Sequence, residues 1–576
     1  MIPILLRLLG NFFRLLTAPM WFLGHRAMRP RSRWVHVRLR PRIVEIEKDL
    51  PFFVDWIPGL TERRPTSLTT LRELADQVLD DERMVGVVFD IPPLMAGWAT
   101  CQSLRDLMVR LREGDRRVVA YLSRGGGNRE LYVASAADRI LASPQSQLSP
   151  LGLAATMTYF KGLLDKVGVE VESFRRAEYK TAVEPATRSE MSEEQREQTD
   201  ALLGTIDRTL RQALAARPNT DDAAVERFFE DAILPAEEAV ERGLIDAVCY
   251  EDELPTWLGE DRTVTPVVRG PRYYHWRKRR WMKRVAPERF IAVVPVHGSI
   301  SQGGPATRGG MQLGSTIATL RAARRNPMVA GVVLHVNSPG GSALASDLIH
   351  REVTRLKELK PVVACFGDVA ASGGYYVSAG ADAVVAQPMT VTGSIGVVSA
   401  RLITEPLMER FGVKVDTIRK APHADMFQRP GRLGARAQEI VEREIESFYR
   451  TFVKLVADGR GKPVDEIEPV ARGRVWSGED AQARGLVDAL GGLDVALDEV
   501  RKRLEGRMSE KARAALRPRH TVVRRLEIPP AEPRKVGEAA AMALLEGVHP
   551  QAAELWRLAQ GGERVLVYAP GLPEIR

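Results

Sequence analysis

The chain is poor in the residues that most often announce a cofactor or a covalent framework. It holds three cysteines in 576 residues, Cys101, Cys249 and Cys365. An odd number so widely spaced gives neither a disulfide framework nor metal-ligand spacing. Histidines number nine, and no HExxH, CxxC or glycine-rich phosphate loop occurs. A chemistry without metal or cofactor is therefore expected. The net charge of +9 is spread over the whole length, too thinly to argue for nucleic acid as a partner. What remains is an ordinary folded composition, 44% hydrophobic and 27% charged, on a chain too long for one core.

A clean apolar run of the roughly 20 residues that a spanning helix needs is also missing. Met1–Gly24, "MIPILLRLLGNFFRLLTAPMWFLG", is interrupted by Arg7 and Arg14, which share one helical face. With the basic collar of Arg26, Arg29, Arg31 and Arg33 behind it, the segment reads as an interfacial amphipathic anchor. A true span and a buried packing helix are the weaker readings, and no small-residue cleavage site marks a removable leader. Membrane association follows from this reading.

The most informative presence is an internal repeat. Gly86–Asp246 is copied imperfectly between Gly331 and Asp488, and Val118–Gly152 aligns without a gap on Val362–Gly396. In the same register "GVEVESFRRA" (Gly168–Ala177) falls on "GVKVDTIRKA" (Gly412–Ala421). Ser372 then stands opposite Asn128, and Lys180 opposite Ala424. Each copy holds one chemically useful residue where the other is blank, the pattern of a split site.

Both copies alternate short β-branched runs with helical patterns. In the second, Phe290–Val296, Val332–Val336, Val362–Phe366 and Ala383–Ala386 read as strands, which predicts an α/β fold with a largely parallel sheet covered on both faces. Each copy ends in a related phrase, Ala236–Val248 and Gly478–Leu490, with a glycine placed to stop a helix. The expected domains are an anchor segment at 1–34, a first repeat at 35–270 and a basic aromatic linker at 271–288. A second repeat at 289–505 and a C-terminal extension at 506–576 with no assigned role complete the chain. The linker, "PRYYHWRKRRWMKRVAP", reads first as solvated, then as a lipid-headgroup surface, and least as a nucleic-acid site.

Ser372 lies in "GDVAASGGYY", after an apolar strand and before a helix. Such a turn can present the hydroxyl in the open with the amide of Gly373 beside it, as in serine hydrolases. The plainer reading makes the serine an N-cap. "NSPGGS" (Asn337–Ser342) supplies Gly340 and Gly341 after a strand end, candidates for the rest of an oxyanion hole. The first repeat has "IPPLMAGW" there and lacks the pair. No histidine lies in a phrase that presents it to this turn; His335 falls on a strand and His423 in a loop. Lys180, in "RRAEYKTAVEP", is the alternative base, provided burial strips its proton near neutral pH. Ser394 in "VTGSIG" is placed either to orient that amine or as a plain turn serine.

Taken together, "NSPGGS", "ASGGYYVSAGAD", "TGSIGV", "EYKTAVEP" and "GRVWSGEDAQARGLVDALGG" resemble signal peptide peptidase A (protease IV) in its long tandem-repeat form, over roughly Val85–Val500. The resemblance implies two ClpP/crotonase-like domains of ββα superhelix type and a Ser/Lys dyad, Ser372 from the second repeat and Lys180 from the first. Ser394 matches the accessory serine. It further implies a homotetramer in the bacterial inner membrane, its catalytic body on the periplasmic side, that degrades cleaved signal peptides. A plainer membrane helix usually stands at the amino terminus of that family. Two alternatives are a crotonase-like acyl-CoA hydratase or isomerase and a catalytically idle membrane scaffold.

Overall fold

The computed structural model describes residues 11–12, 18–47, 65–218, 220–259, 265–278, 289–302, 311–506, 522–526, 566–568 and 574–575. Most of Met1–Gly24 and of the basic linker lies outside them. Among the described residues no helix is long and apolar enough to cross a membrane; a helix at Ala18–Ala27 and another at Gly270–Lys278 reach into those two segments.

The chain forms two compact units, residues 1–152 with 206–288, and residues 153–205 with 289–576. The sheet of the first unit is six-stranded and parallel: Ala247–Val248, Arg139–Ala142, Arg117–Leu122, Gly86–Asp90, Trp34–Arg38, Val267–Arg269. Starting from Ala489–Leu490, the second unit repeats that order with Ala383–Ala386, Val362–Ala371, Val329–Ser338, Phe290–His297 and Val522–Arg525. The central strands are unbroken apolar runs because helices cover both faces. Val332, Val333 and Leu334 are fully buried, as are Val362, Val363 and Ala364.

The repeat is visible in the side chains that pin these sheets. Asp138 accepts from the Val118 amide at 2.7 Å, and its counterpart Asp382 accepts from Val362 at 2.7 Å. Asp246 accepts from Ile140 at 2.6 Å, and Asp488 from Val384 at 2.7 Å. In each case a carboxylate caps the amide that begins a buried strand, where water cannot. The glycines expected to stop the closing helices, Gly243 and Gly485, have φ of 80° and 74°, the left-handed region.

Two features depart from the sequence reading. Residues 153–205 pack with the second unit, because Glu170–Arg176 pairs antiparallel with Val397–Ile403 over seven residues. A boundary drawn at 270 by the repeat alone does not register that the chain sends this strand out of its own repeat. The extension after 505 also does not lie wholly outside the repeat. Val522–Arg525 pairs with Phe290–Val293, the position that Val267–Arg269 fills in the first unit.

Candidate active site

The strand Val362–Ala371 ends in a turn that its sequence cannot make without strain. Ser372 has φ 55° and ψ −116°, a conformation uncommon for a residue with a side chain. It is held there by its amide, which donates to the Gly393 carbonyl at 2.8 Å, and by its carbonyl, which accepts from Tyr376 at 2.8 Å. The helix Gly373–Ser378 follows at once. Gly374 must be glycine, since a Cβ there would lie 2.6 Å from the Ser338 carbonyl oxygen. The same contact brings the "NSPGG" turn against the start of this helix. Ser372 stands at the N-cap position of that helix, but its side chain makes no capping bond to it.

Instead Ser372 Oγ lies 2.7 Å from Lys180 Nζ. Lys180 also reaches the Ser394 carbonyl at 2.9 Å and the Ser394 hydroxyl at 2.9 Å. Lys180 is 1% exposed and Ser372 0%. Burial alone drives the Lys180 amine well below its ordinary pKa of 10.5, because it removes the water that would solvate an ammonium. The flanking carboxylates are turned elsewhere. Glu178 pairs with Arg472 at 2.5 Å, and Glu184 holds Arg175 at 3.2 Å and Ser192 at 2.9 Å. As placed, Nζ donates to all three oxygens, and the lowered pKa favours the neutral form, in which one of these contacts would become a lone pair facing the Ser372 hydroxyl.

The segment carrying Lys180 is delivered by strand pairing and then clamped. After Arg176 the chain turns at Ala177, with φ 75°. The Tyr179 amide donates to the Arg472 carbonyl at 3.2 Å, and its hydroxyl to Glu197 at 2.7 Å. Arg474 binds the same Glu197 at 2.6 Å and stacks between Tyr179 and Trp476, 4.9 and 4.3 Å from their centroids. Ser394, with φ 51°, is fixed by its amide to the Arg474 carbonyl at 2.6 Å.

Sequence reasoning passed over Gly473 and Gly396. A Cβ on Gly473 would lie 2.7 Å from the Lys180 amide nitrogen and 2.8 Å from its Cβ; one on Gly396 would meet Lys180 Cδ at 3.3 Å. Both form the wall against which the lysine stem rests. The signal available was the phrase "ARGRVWSG", whose Gly473 sits at φ 78° in the turn closed by the Arg474 amide on the Ala471 carbonyl at 2.9 Å. Of the predicted glycines, Gly373 opens its helix, where the amide has no intrahelical acceptor. Gly340 differs from expectation: its amide already donates to Ser338 Oγ at 3.1 Å. His335 is paired with His297 at 2.7 Å, and His423 lies in an exposed turn. Among the described residues no group of three or more His, Cys, Asp or Glu side chains is placed to hold a metal.

A buried serine hydroxyl in contact with a buried amine whose pKa is lowered is an arrangement that suits a nucleophile beside its base. Peptidase family S49 matches residues 110–265 and 354–506. The serine protease SPPA, chloroplastic, of Arabidopsis thaliana is 34% identical over 75% of this chain and 65% of its own, just under two thirds. Protease 4 of Salmonella typhi is 33% identical over 73% of this chain and 69% of its own. Protease 4 of Haemophilus influenzae is 30% identical over 73% and 71%. The chain belongs to peptidase family S49, and is a serine peptidase.

Proposed function

We propose that the chain is a membrane-associated endopeptidase that cuts apolar peptides, cleaved signal peptides among them, through a Ser372/Lys180 dyad. The observation that carries the reading is the 2.7 Å approach of the two side chains, both buried. Neutral Lys180 takes the hydroxyl proton as Ser372 Oγ attacks the peptide carbonyl, giving an acyl-enzyme. The protonated amine then donates to the leaving nitrogen and, neutral again, activates water. Ser394 keeps Nζ directed at Oγ in both steps. The oxyanion falls to the amide of Gly373, with Gly341 as second donor, since Gly340 is occupied by Ser338.

The substrate edge has a physical rationale. Leu566–Tyr568 of this chain lies as a strand between Gly340–Ser342 and Val398, antiparallel to both. That slot accepts an extended backbone, the recognition mode in which main-chain bonds give affinity and alternate side chains give specificity. The ClpP/crotonase-like classification of each repeat, the amphipathic anchor, the homotetramer and the periplasmic side of the inner membrane belong to the same proposal and rest on the resemblance. The acyl-CoA alternative is disfavoured because, among the described residues, no acidic side chain hydrogen-bonds Ser372, Lys180 or Ser394.

A fluorophosphonate probe tests the nucleophile. Ser372 is expected to be labelled in the wild type, identified by peptide mass spectrometry, and labelling is expected to vanish in Lys180→Met. Labelling elsewhere, or acyl-CoA hydration without labelling, would remove the peptidase mechanism. Gly473→Ala is a subtler probe. Its added methyl displaces the lysine stem, and misplacement of this order costs on the order of 10²-fold in turnover. We expect that loss in kcat with KM little changed, read from steady-state hydrolysis of an apolar peptide.

A further inference from the structure

The helix Gly270–Lys278, which carries the described part of the basic linker, is pinned within the first unit by its aromatic residues. Tyr273 is buried, and its hydroxyl donates to the Gln77 carbonyl at 3.0 Å with the Asp81 carboxylate at 3.2 Å. Trp276, one turn further on, meets the amino-terminal helix Ala18–Ala27 instead. Its ring stacks on His25 with centroids 5.0 Å apart and planes 9° apart, and its Nε1–H donates to the His25 carbonyl at 3.2 Å. Two segments far apart in the chain, both singled out by their composition, are thus fastened side by side.

Fastened this way, the amino-terminal helix turns an apolar strip to the outside. Met20 is 77% exposed and Leu23 70%, and their spacing of three puts them on one face. Exposed Arg26 continues the same spacing, and Arg29 is exposed just beyond the helix. The linker helix adds exposed Arg272 and half-buried Arg277. Nearby acids are already engaged: Glu73 holds Lys278 at 2.9 Å and Asp81 holds Arg83 at 2.7 Å. Among the described residues Arg26, Arg29, Arg272 and Arg277 hold no carboxylate. The sequence then runs on through Arg279, Arg280, Lys283 and Arg284, with Trp281 among them. Cations alone would suit any polyanion. The exposed methionine and leucine beside them gain only where an apolar phase borders the anion, which is the character of a bilayer surface and not of a nucleic acid.

We infer that the linker helix and the helix Ala18–Ala27 form one surface that seats on a bilayer carrying anionic headgroups. The amino-terminal helix supplies the apolar contact, and the linker supplies charge that selects the headgroup. The inference rests on the membrane association proposed above and names its lipid class and the second segment that meets it. Seating on anionic lipid should weaken as salt is raised, because screening acts on the cationic share of the contact.

The test sediments the full chain with vesicles of phosphatidylcholine alone, or of phosphatidylcholine with phosphatidylglycerol. The wild type is expected to partition more strongly to the anionic vesicles. One cation near such a surface is worth about fivefold in partitioning. Arg272→Gln with Arg277→Gln should therefore lose roughly 25-fold on anionic vesicles and nothing on neutral ones, which also shows that the variant is folded. Arg139→Gln with Arg227→Gln removes the same charge from two exposed positions elsewhere and should behave as wild type. A wild type that sediments with neither vesicle would overturn both this surface and membrane association. Equal partitioning of the wild type to both vesicles, or a linker variant that matches the Arg139/Arg227 control, would overturn this surface alone. Loss of duplex DNA binding in the linker variant, with vesicle binding unmoved, would assign the cations to nucleic acid and overturn the lipid assignment.

Discussion

Hydrolysis of an apolar peptide by Ser372→Ala is expected to fall by about 10⁴-fold or more, the order found when a serine nucleophile is removed. The loss should come without unfolding. Alanine meets the same left-handed backbone as serine, and the two bonds that hold the turn, to Gly393 and from Tyr376, are made by main-chain atoms. The helix loses no cap, because the Ser372 hydroxyl does not supply one. The expected signature is therefore absent product by mass spectrometry with a thermal midpoint close to wild type. Turnover within about tenfold of wild type would assign the nucleophile elsewhere.

Lys180→Met is expected to abolish turnover to a similar degree and to change how stability depends on pH. The folded amine titrates well below 10.5, whereas in the unfolded chain it titrates near that value. Between the two, the unfolded state holds a proton that the folded state has shed, so stability rises with pH. The rise is at most about 1.4 kcal/mol per pH unit. The contribution is present in full above 10.5 and is lost as pH falls through the folded pKa. Methionine fills the cavity without titrating. The difference in thermal midpoint between wild type and Lys180→Met should therefore vary with pH across that interval, the wild type gaining at the alkaline side. In the wild type kcat/KM should rise along the same ionisation. A flat difference would mean that Lys180 is charged in the folded protein.

Much of this is legible in the amino-acid sequence, for identifiable reasons. Parallel strands buried on both faces must be apolar throughout, so Val332–Val336 and Val362–Phe366 announce themselves. The repeat made Ser372 and Lys180 conspicuous by what their counterparts lack. What stayed hidden depends on long-range contact. Gly473 serves its own turn at φ 78°, but its contact with the Lys180 backbone, nearly three hundred positions earlier in the chain, is recorded by no local pattern. Nothing in "NSPGG" by itself shows that the Gly340 amide is taken by Ser338 Oγ. Lys180 itself travels with the second unit because Glu170–Arg176 leaves its own repeat to pair, and a boundary inferred from similarity alone cannot register an exchanged strand.

Shortening this protein for expression has a natural but hazardous stopping point. Halting after Gly506, where the helix Leu493–Gly506 ends, discards Val522–Arg525. Phe290–Val293 would then show bare amides and carbonyls along an apolar border. Such borders seek replacements from neighbouring molecules, so the truncated product should precipitate at concentrations the full chain tolerates. Retaining Val522–Arg525 keeps that border paired.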